Sequence, residues 1–325
     1  MNKKHSNKNK QKNSVSKGLH PSNLHNQGYD FPALIKSHPA LKAHVKTNKY
    51  HKKSIDFSDP LAVKTLNSAL LKHHYGISGW DIPHGFLCPP IPGRVDYIHY
   101  VAELLNLCNA GENAALKQAP VKLLDIGTGA NGIYSLLACQ VYGWHCTGSD
   151  IDPTSLDNVA KIISKNPSLE KGLQLRLQHD KNHIFEGIIK QDDYFDVSVC
   201  NPPFHLSQKE ALKSNQQKAS KLALSRNEKI IKAANKGSAT LNFGGQKAEL
   251  CYQGGERNFL RIMIKESKVF GSQCRWFTSL ISKIDNVTPA KKLLNKLEAV
   301  DVQVIEMKQG NKVTRILAWT FLRPD

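Results

Sequence analysis

The run VKLLDIGTGANG, residues 121–132, constrains this chain more than any other stretch. A continuous apolar segment reads as a buried strand. Gly127, Gly129 and Gly132 follow it in G-x-G-x-x-G spacing and open a helix in which Ile133, Leu136, Leu137 and Val141 share a face. Glycines so placed belong to a strand-turn-helix unit that lets a ligand approach the backbone closely. The pattern repeats. WHCTGSDI is a second strand, and Asp152-Pro153 caps and opens a helix striped by Leu156, Val159, Ala160 and Ile163. GLQLRLQ and FDVSVC are the third and fourth strands. Beyond residue 255 come a helix in RNFLRIMIKE, the strand CRWFTSLI, a helix opened by Thr288-Pro289, and the strands VQVIEM and VTRILAWTFL joined by a KQGNK turn. Such alternation predicts a Rossmann-like α/β fold with helices on both faces of a mostly parallel, seven-stranded sheet. The final hairpin makes its last strand antiparallel.

The rest of the chain divides around this unit. Residues 1–27 read as a basic, polar, disordered tail; a charged start with no apolar h-region behind it is not a secretory signal. Residues 28–120 read as a small, mostly helical region whose clearest helix is RVDYIHYVAELLNL, with Val95, Ile98, Ala102 and Leu105 at helical spacing. Residues 121–325 form the α/β domain, interrupted at 205–255 by a lysine-rich insert. The formal net charge of +18 favours a phosphate-bearing partner. With no run of about 18 apolar residues and no lipidation signal, membrane attachment lacks support and nucleic acid is the expected partner. Seven scattered cysteines, at 88, 108, 139, 146, 200, 251 and 274, include no C-x-x-C pair and read as reduced core residues of a cytoplasmic protein. His73, His74, His84 and Cys88 fit no standard ligand spacing, so no metal is expected.

The glycine loop alone admits two ligands. Asp150 ends the second strand about 20 residues beyond the loop, where an acid can hold a ribose, as in a nicotinamide-dependent dehydrogenase. Asp125, two residues before the first glycine, argues otherwise. A carboxylate there does not help bind a pyrophosphate, but it suits a ligand with a cationic amino acid portion, such as S-adenosylmethionine.

The fourth strand breaks off into Asn201, Pro202, Pro203 and Phe204. In an open parallel sheet, ligands bind outside the carboxyl ends of the strands at the reversal of strand order, so this turn is expected beside the glycine loop. The Asn201 carboxamide oxygen and the Pro202 carbonyl can accept two hydrogen bonds from an exocyclic NH2 and draw its lone pair out of conjugation. The prolines hold those acceptors still, and Phe204 offers a face on which a base can stack, worth about 1–3 kcal/mol. Together they make a site for N-methylation of a planar amine. A Pro-Pro turn with a surface Phe is the blander reading.

At these residues the chain resembles a class I methyltransferase of the N6-adenine RNA group, and more narrowly the bacterial 23S rRNA adenine-N6 methyltransferase family known as RlmF. The resemblance covers residues 25–325 and rests on DFSDPLAVKTLNSALL, IPGRVDYIHYVAELL, LLDIGTGANGIYSLL, CNPPFHLS, the GGE at 254–256 and KQGNKVTRILAWTF. It implies S-adenosylmethionine as donor, whose sulfonium is a good enough leaving group that no metal is needed, and an adenosine in 23S rRNA, free or in a large-subunit assembly intermediate, as substrate. By motif position, Arg94 would contact the donor's carboxylate, Gly127 and Asn131 the glycine-loop side, Asp150 the ribose and a polar residue near Asn182 the adenine end. The N-terminal region would bind RNA or cover the donor, the 205–255 insert would gate or grip RNA, and a monomer is expected.

DNA or a protein glutamine are alternative substrates for the same chemistry. No duplex-reading module supports DNA, and a protein substrate leaves the +18 charge unexplained. A non-catalytic RNA-binding or ribosome-assembly factor is the other alternative, and intact Asp125, Gly127, Gly129 and Asn201 argue against it.

Overall fold

The computed structural model describes residues 18–48, 50–105, 119–203, 252–309 and 312–323. The sheet strands are β3 (Lys122–Ile126), β4 (His145–Asp150), β5 (Leu173–Leu177), β6 (Phe195–Cys200), β7 (Cys274–Ile281), β8 (Asp301–Gln309) and β9 (Lys312–Thr320). They lie in the order β5-β4-β3-β6-β7-β9-β8. All neighbours pair in parallel except β9, which runs antiparallel to both β7 and β8. The hairpin therefore folds its last strand inward and leaves β8, parallel to the rest, at the edge. Strand order reverses between β3 and β6, where Ile126 pairs with Cys200 and the chain continues into Gly127 on one side and Asn201 on the other.

The sheet is buried on both faces, and alternate residues of one strand enter different cores. Leu123 joins a cluster with Leu136, Val159 and Val197, packed by α4 (Ile133–Tyr142) and α5 (Pro153–Ser164). Leu124 joins the opposite cluster with Met263, Phe277 and Trp319, packed by α7 (Gly255–Val269) and α8 (Val287–Lys296). The short α6 (Pro167–Glu170) leads into β5. As the sequence predicts, Asp152 caps α5, accepting from Thr154 N, with Pro153 in its first turn.

The N-terminal region packs onto the α/β unit. It contains α1 (Phe31–Ser37), a small antiparallel hairpin β1 (Val45–Thr47) and β2 (Lys53–Ile55), the 16-residue α2 (Pro60–Tyr75) and α3 (Ile91–Leu104). Its Leu34, Leu66, Leu70 and Ile98 belong to the same apolar cluster as Leu123 and Val197, so it closes one face of the sheet, and its described residues form no core separate from that cluster. Of the expected tail, residues 1–27, those from 18 to 27 are among the described residues. His20 N and Asn23 Nδ2 both donate to Asp96 Oδ1, at 2.7 and 2.8 Å, and Asn23 Nδ2 also reaches Pro92 O at 2.9 Å. Residues 18–27 are thereby held against α3 by polar bonds that their composition does not advertise.

Candidate active site

The glycine loop is braced from both sides. Thr128 N donates to Ser149 O at 2.9 Å, and Gly129 N donates to Asp150 Oδ2 at 2.8 Å. Asp152 N takes the other Asp150 oxygen at 2.9 Å. Each oxygen retains accepting capacity toward the cleft, and burial pushes the Asp150 carboxyl above its ordinary range. The Asn131 side chain does not reach outward; its Oδ1 accepts Ile133 N at 3.1 Å and starts α4. Its backbone carbonyl accepts Trp80 Nε1 at 3.0 Å, which ties the loop to the segment after α2.

Asp125 lies wholly buried beneath this loop. Its Oδ2 accepts Thr128 Oγ1 and Ser135 Oγ, each at 2.9 Å, while Oδ1 has no partner. Burial raises its pKa to about 6, with the two hydroxyls pulling the other way.

α3 delivers Arg94 to the same place. Its Nη1 donates to Tyr134 Oη at 2.6 Å, and its buried Nε has no partner. One turn further, the fully buried Tyr97 stacks edge-on against Tyr134 with centroids 5.3 Å apart. Its hydroxyl lies 2.7 Å from Thr278 Oγ1 and accepts Cys200 N at 3.4 Å. Thr278 Oγ1 in turn donates to Ser198 O at 2.7 Å. The last residues of β6 are thus fixed by side chains from α3 and β7.

Asn201 leaves that fixed strand end with its Oδ1 buried and unpartnered. Pro202 is buried and Pro203 is half-buried. Phe204 and nearly all of the basic insert, residues 204–251, lie outside the described residues.

A single cleft collects Arg94, Gly127, Gly129, Asn131, Asp150, Asn201 and Pro203, with Asp125 behind its floor. Asn182 is not in it. That side chain is exposed and turned back onto Asp180 Oδ1 at 2.8 Å, while Gln178, Lys181 and His183 of the same loop line the wall. Tyr134, Tyr252 and Phe259 also line it, and Leu87 and Pro89 reach it from the N-terminal region. The sequence reading did not single these out, because their partners lie far away along the chain.

Three buried polar atoms therefore stand unmatched around one apolar-walled cleft: a guanidinium N–H, a carboxylate oxygen and a carboxamide oxygen. Such groups cost about 1–3 kcal/mol each when left unpaired, so they mark a place for a ligand. An amino acid with both termini charged matches the first two. An amine matches the third. The residues fit S-adenosylmethionine and an amino-bearing acceptor.

Comparison with known proteins agrees. A family model described as RNA methyltransferase matches residues 13–323. Ribosomal RNA large subunit methyltransferase F of Saccharophagus degradans is 55% identical over 326 residues, covering 98% of this chain and 99% of that protein. Its namesake from Shewanella loihica is also 55% identical, over 96% of this chain and 80% of that one. Among solved structures, the hMettl16 catalytic domain in complex with MAT2A 3′UTR hairpin 6 superposes with a TM-score of 0.74 and 27% identity, over 94% of this chain and 98% of that chain. The N-terminal domain of human METTL16 in complex with SAH gives 0.71 and 25%, over 94% and 100%.

Proposed function

The chain belongs to the RNA methyltransferase family, and we propose that it methylates the exocyclic N6 amine of an adenine in the 23S RNA of the large ribosomal subunit. It is an S-adenosylmethionine-dependent enzyme. The observation that carries the proposal is the buried, unpartnered Asn201 Oδ1 at the strand-order reversal, beside the glycine loop.

The donor, when bound, supplies an activated methyl group on a sulfonium. Arg94 holds its carboxylate through Nε, Asp125 Oδ1 draws its ammonium toward the loop, and the backbone at Gly127 and Gly129 lets it approach. Asp150 accepts from its ribose hydroxyls. On the acceptor side, Asn201 Oδ1 and the Pro202 carbonyl each take a hydrogen bond from the amine, which draws the nitrogen lone pair out of conjugation with the ring and frees it to attack. Proximity and fixed dipoles do the rest, so the rigidity of β6 matters as much as the identity of Asn201. Phe204 stacks the base, the 205–255 insert and residues 28–120 contact RNA, and the enzyme acts as a cytoplasmic monomer. The second reading of the sequence, a non-catalytic assembly factor, is not favoured, because such a protein has no use for three orphan groups around one cleft.

The test is incubation with labelled S-adenosylmethionine and total RNA, DNA or protein from cells lacking this chain, followed by identification of the modified product. N6-methyladenosine in large-subunit rRNA is expected. Label in DNA or protein, or none at all, refutes the proposal. Asn201→Ala is expected to lower kcat at least about a hundredfold while donor affinity changes little.

A further inference from the structure

The GGE stretch at 254–256 takes no part in the chemistry above, yet its geometry is demanding. Gly254 has φ +83, and a Cβ there would lie 2.6 Å from Asn258 Cβ. The glycine leaves room for Asn258, whose Nδ2 donates to Gln253 O at 2.8 Å. Asn258 Oδ1 then accepts from Arg261 Nε and Nη2, at 3.1 and 3.0 Å. An exposed arginine is thereby held in place by a neutral amide and keeps its whole charge. Ordinarily an exposed arginine wanders at considerable entropic cost to any contact it makes.

The rest of α7 is arranged to the same effect. Arg257, Arg261 and Lys265 are exposed at i, i+4, i+8, so their positions rise by about 6 Å at each step along one face. Among the described residues none of the three has a carboxylate within ion-pair distance. Both acids of the helix are used elsewhere. Glu256 is buried and accepts Ser282 N, Lys283 N and Asn286 Nδ2, while Glu266 accepts the backbone N–H groups of Ile184, Phe185 and Glu186. Lys268, further along, lies over the Phe321 ring. What remains outward is a purely cationic stripe along a groove whose other wall is Pro289, Ala290 and Leu293 of α8. The stripe starts at the N-terminal end of α7, where Arg257 follows shortly after Tyr252, a residue that lines the active cleft.

We propose that this α7 groove is a phosphate-binding track for the RNA strand flanking the target nucleotide, with Arg261, preset by Asn258, as its principal anchor. The inference rests on the RNA-methylating function proposed above. The match is one of charge: a line of unpaired cations, one of them immobilised, against a line of phosphates, which a guanidinium contacts in a fixed fork.

The experiment uses the full chain and an in vitro transcript of large-subunit rRNA, with binding measured across a salt series and methylation kinetics run in parallel. R257A/R261A/K265A is expected to keep the wild-type thermal midpoint, donor affinity and kcat. Its salt slope, log K against log [salt], is expected to fall by about 2 to 3, with RNA affinity down at all salt concentrations. N258A retains every charge, so it is expected to keep the wild-type slope while its RNA KM rises several-fold, and R261K to behave likewise. A triple variant with wild-type slope and affinity overturns the track, and an N258A enzyme with wild-type KM overturns the anchor. A wild-type enzyme that binds the transcript but methylates no RNA fails the function itself, whatever the variants do.

Discussion

Arg94 and Tyr134 meet twice: Nη1 donates to the phenol oxygen at 2.6 Å, and the guanidinium carbon stands 5.5 Å from the centroid of the same ring. Burial raises the Tyr134 pKa to about 12, so the phenol stays protonated and serves as a neutral acceptor. The pair fixes the orientation of the guanidinium and leaves Nε for a ligand. Tyr134→Phe keeps the ring but removes the oxygen. It is expected to raise the donor KM about three- to tenfold, the worth of one charge-assisted hydrogen bond, with kcat within about twofold of wild type. Steady-state kinetics at saturating RNA check this; a fall in kcat at unchanged KM would show that Tyr134 serves the acceptor side.

The buried Asp125 predicts a pH dependence with a definite sign. Its carboxyl titrates near 6, above the ordinary 3.8, because burial disfavours the anion. In the free protein this group stabilises the fold most when protonated, and that contribution is lost as pH rises through about 6. A cationic ligand acts oppositely, since it binds the anion. Donor affinity is therefore expected to be flat from about pH 6.5 to 7.5 and to weaken below 6, approaching tenfold per pH unit. Asp125→Asn is expected to bind weakly at every pH in that range. Calorimetric titration from pH 5 to 7.5 decides, and a flat wild-type profile would remove Asp125 from the ammonium site.

The parts of this architecture that were legible in the sequence are those whose signals are local. β3 to β9 show as apolar runs, the caps at Asp152 and Pro153 sit next to the helix they start, and the glycines lie within six residues of each other. α2 was harder to see, although Asp59-Pro60 opens it and Gly76 closes it. Its buried face contains Thr65 and Asn67, which blur the apolar stripe. Each is satisfied on folding, Thr65 by Leu61 O and Asn67 by Pro89 O. Trp80, Tyr97 and Tyr134 escaped notice for a related reason. An aromatic residue among apolar neighbours reads as core, and what makes these more than core is a hydrogen bond to a partner between 40 and 181 residues away. Asn182 is the converse case: its side chain turns back onto Asp180 while Gln178, Lys181 and His183 beside it line the cleft. Polar residues crowd the loop after β5, and the sequence offers no local means of telling which of them turns toward the cleft.

Gly127 and Gly132 occupy similar left-handed backbone, with φ +69 and +59, but their surroundings differ, and alanine is expected to fail at each for a different reason. At 132 a Cβ would stand 3.0 and 3.1 Å from the two methyl carbons of Val159, where α5 packs against the start of α4. The valine is buried and cannot retreat far. Gly132→Ala is therefore expected to cost about 2–3 kcal/mol, backbone strain and overpacking together, seen as a lower urea midpoint. At 127 a Cβ meets nothing within 4 Å, because it enters the open cleft. Gly127→Ala is expected to lose only the backbone term, about 1 kcal/mol, yet to weaken donor binding more than tenfold by occupying the space of close approach. Urea denaturation and donor titration on both variants separate the two effects. If Gly127→Ala bound the donor normally, the first glycine would serve the turn alone, and the donor would have to lie elsewhere along the cleft.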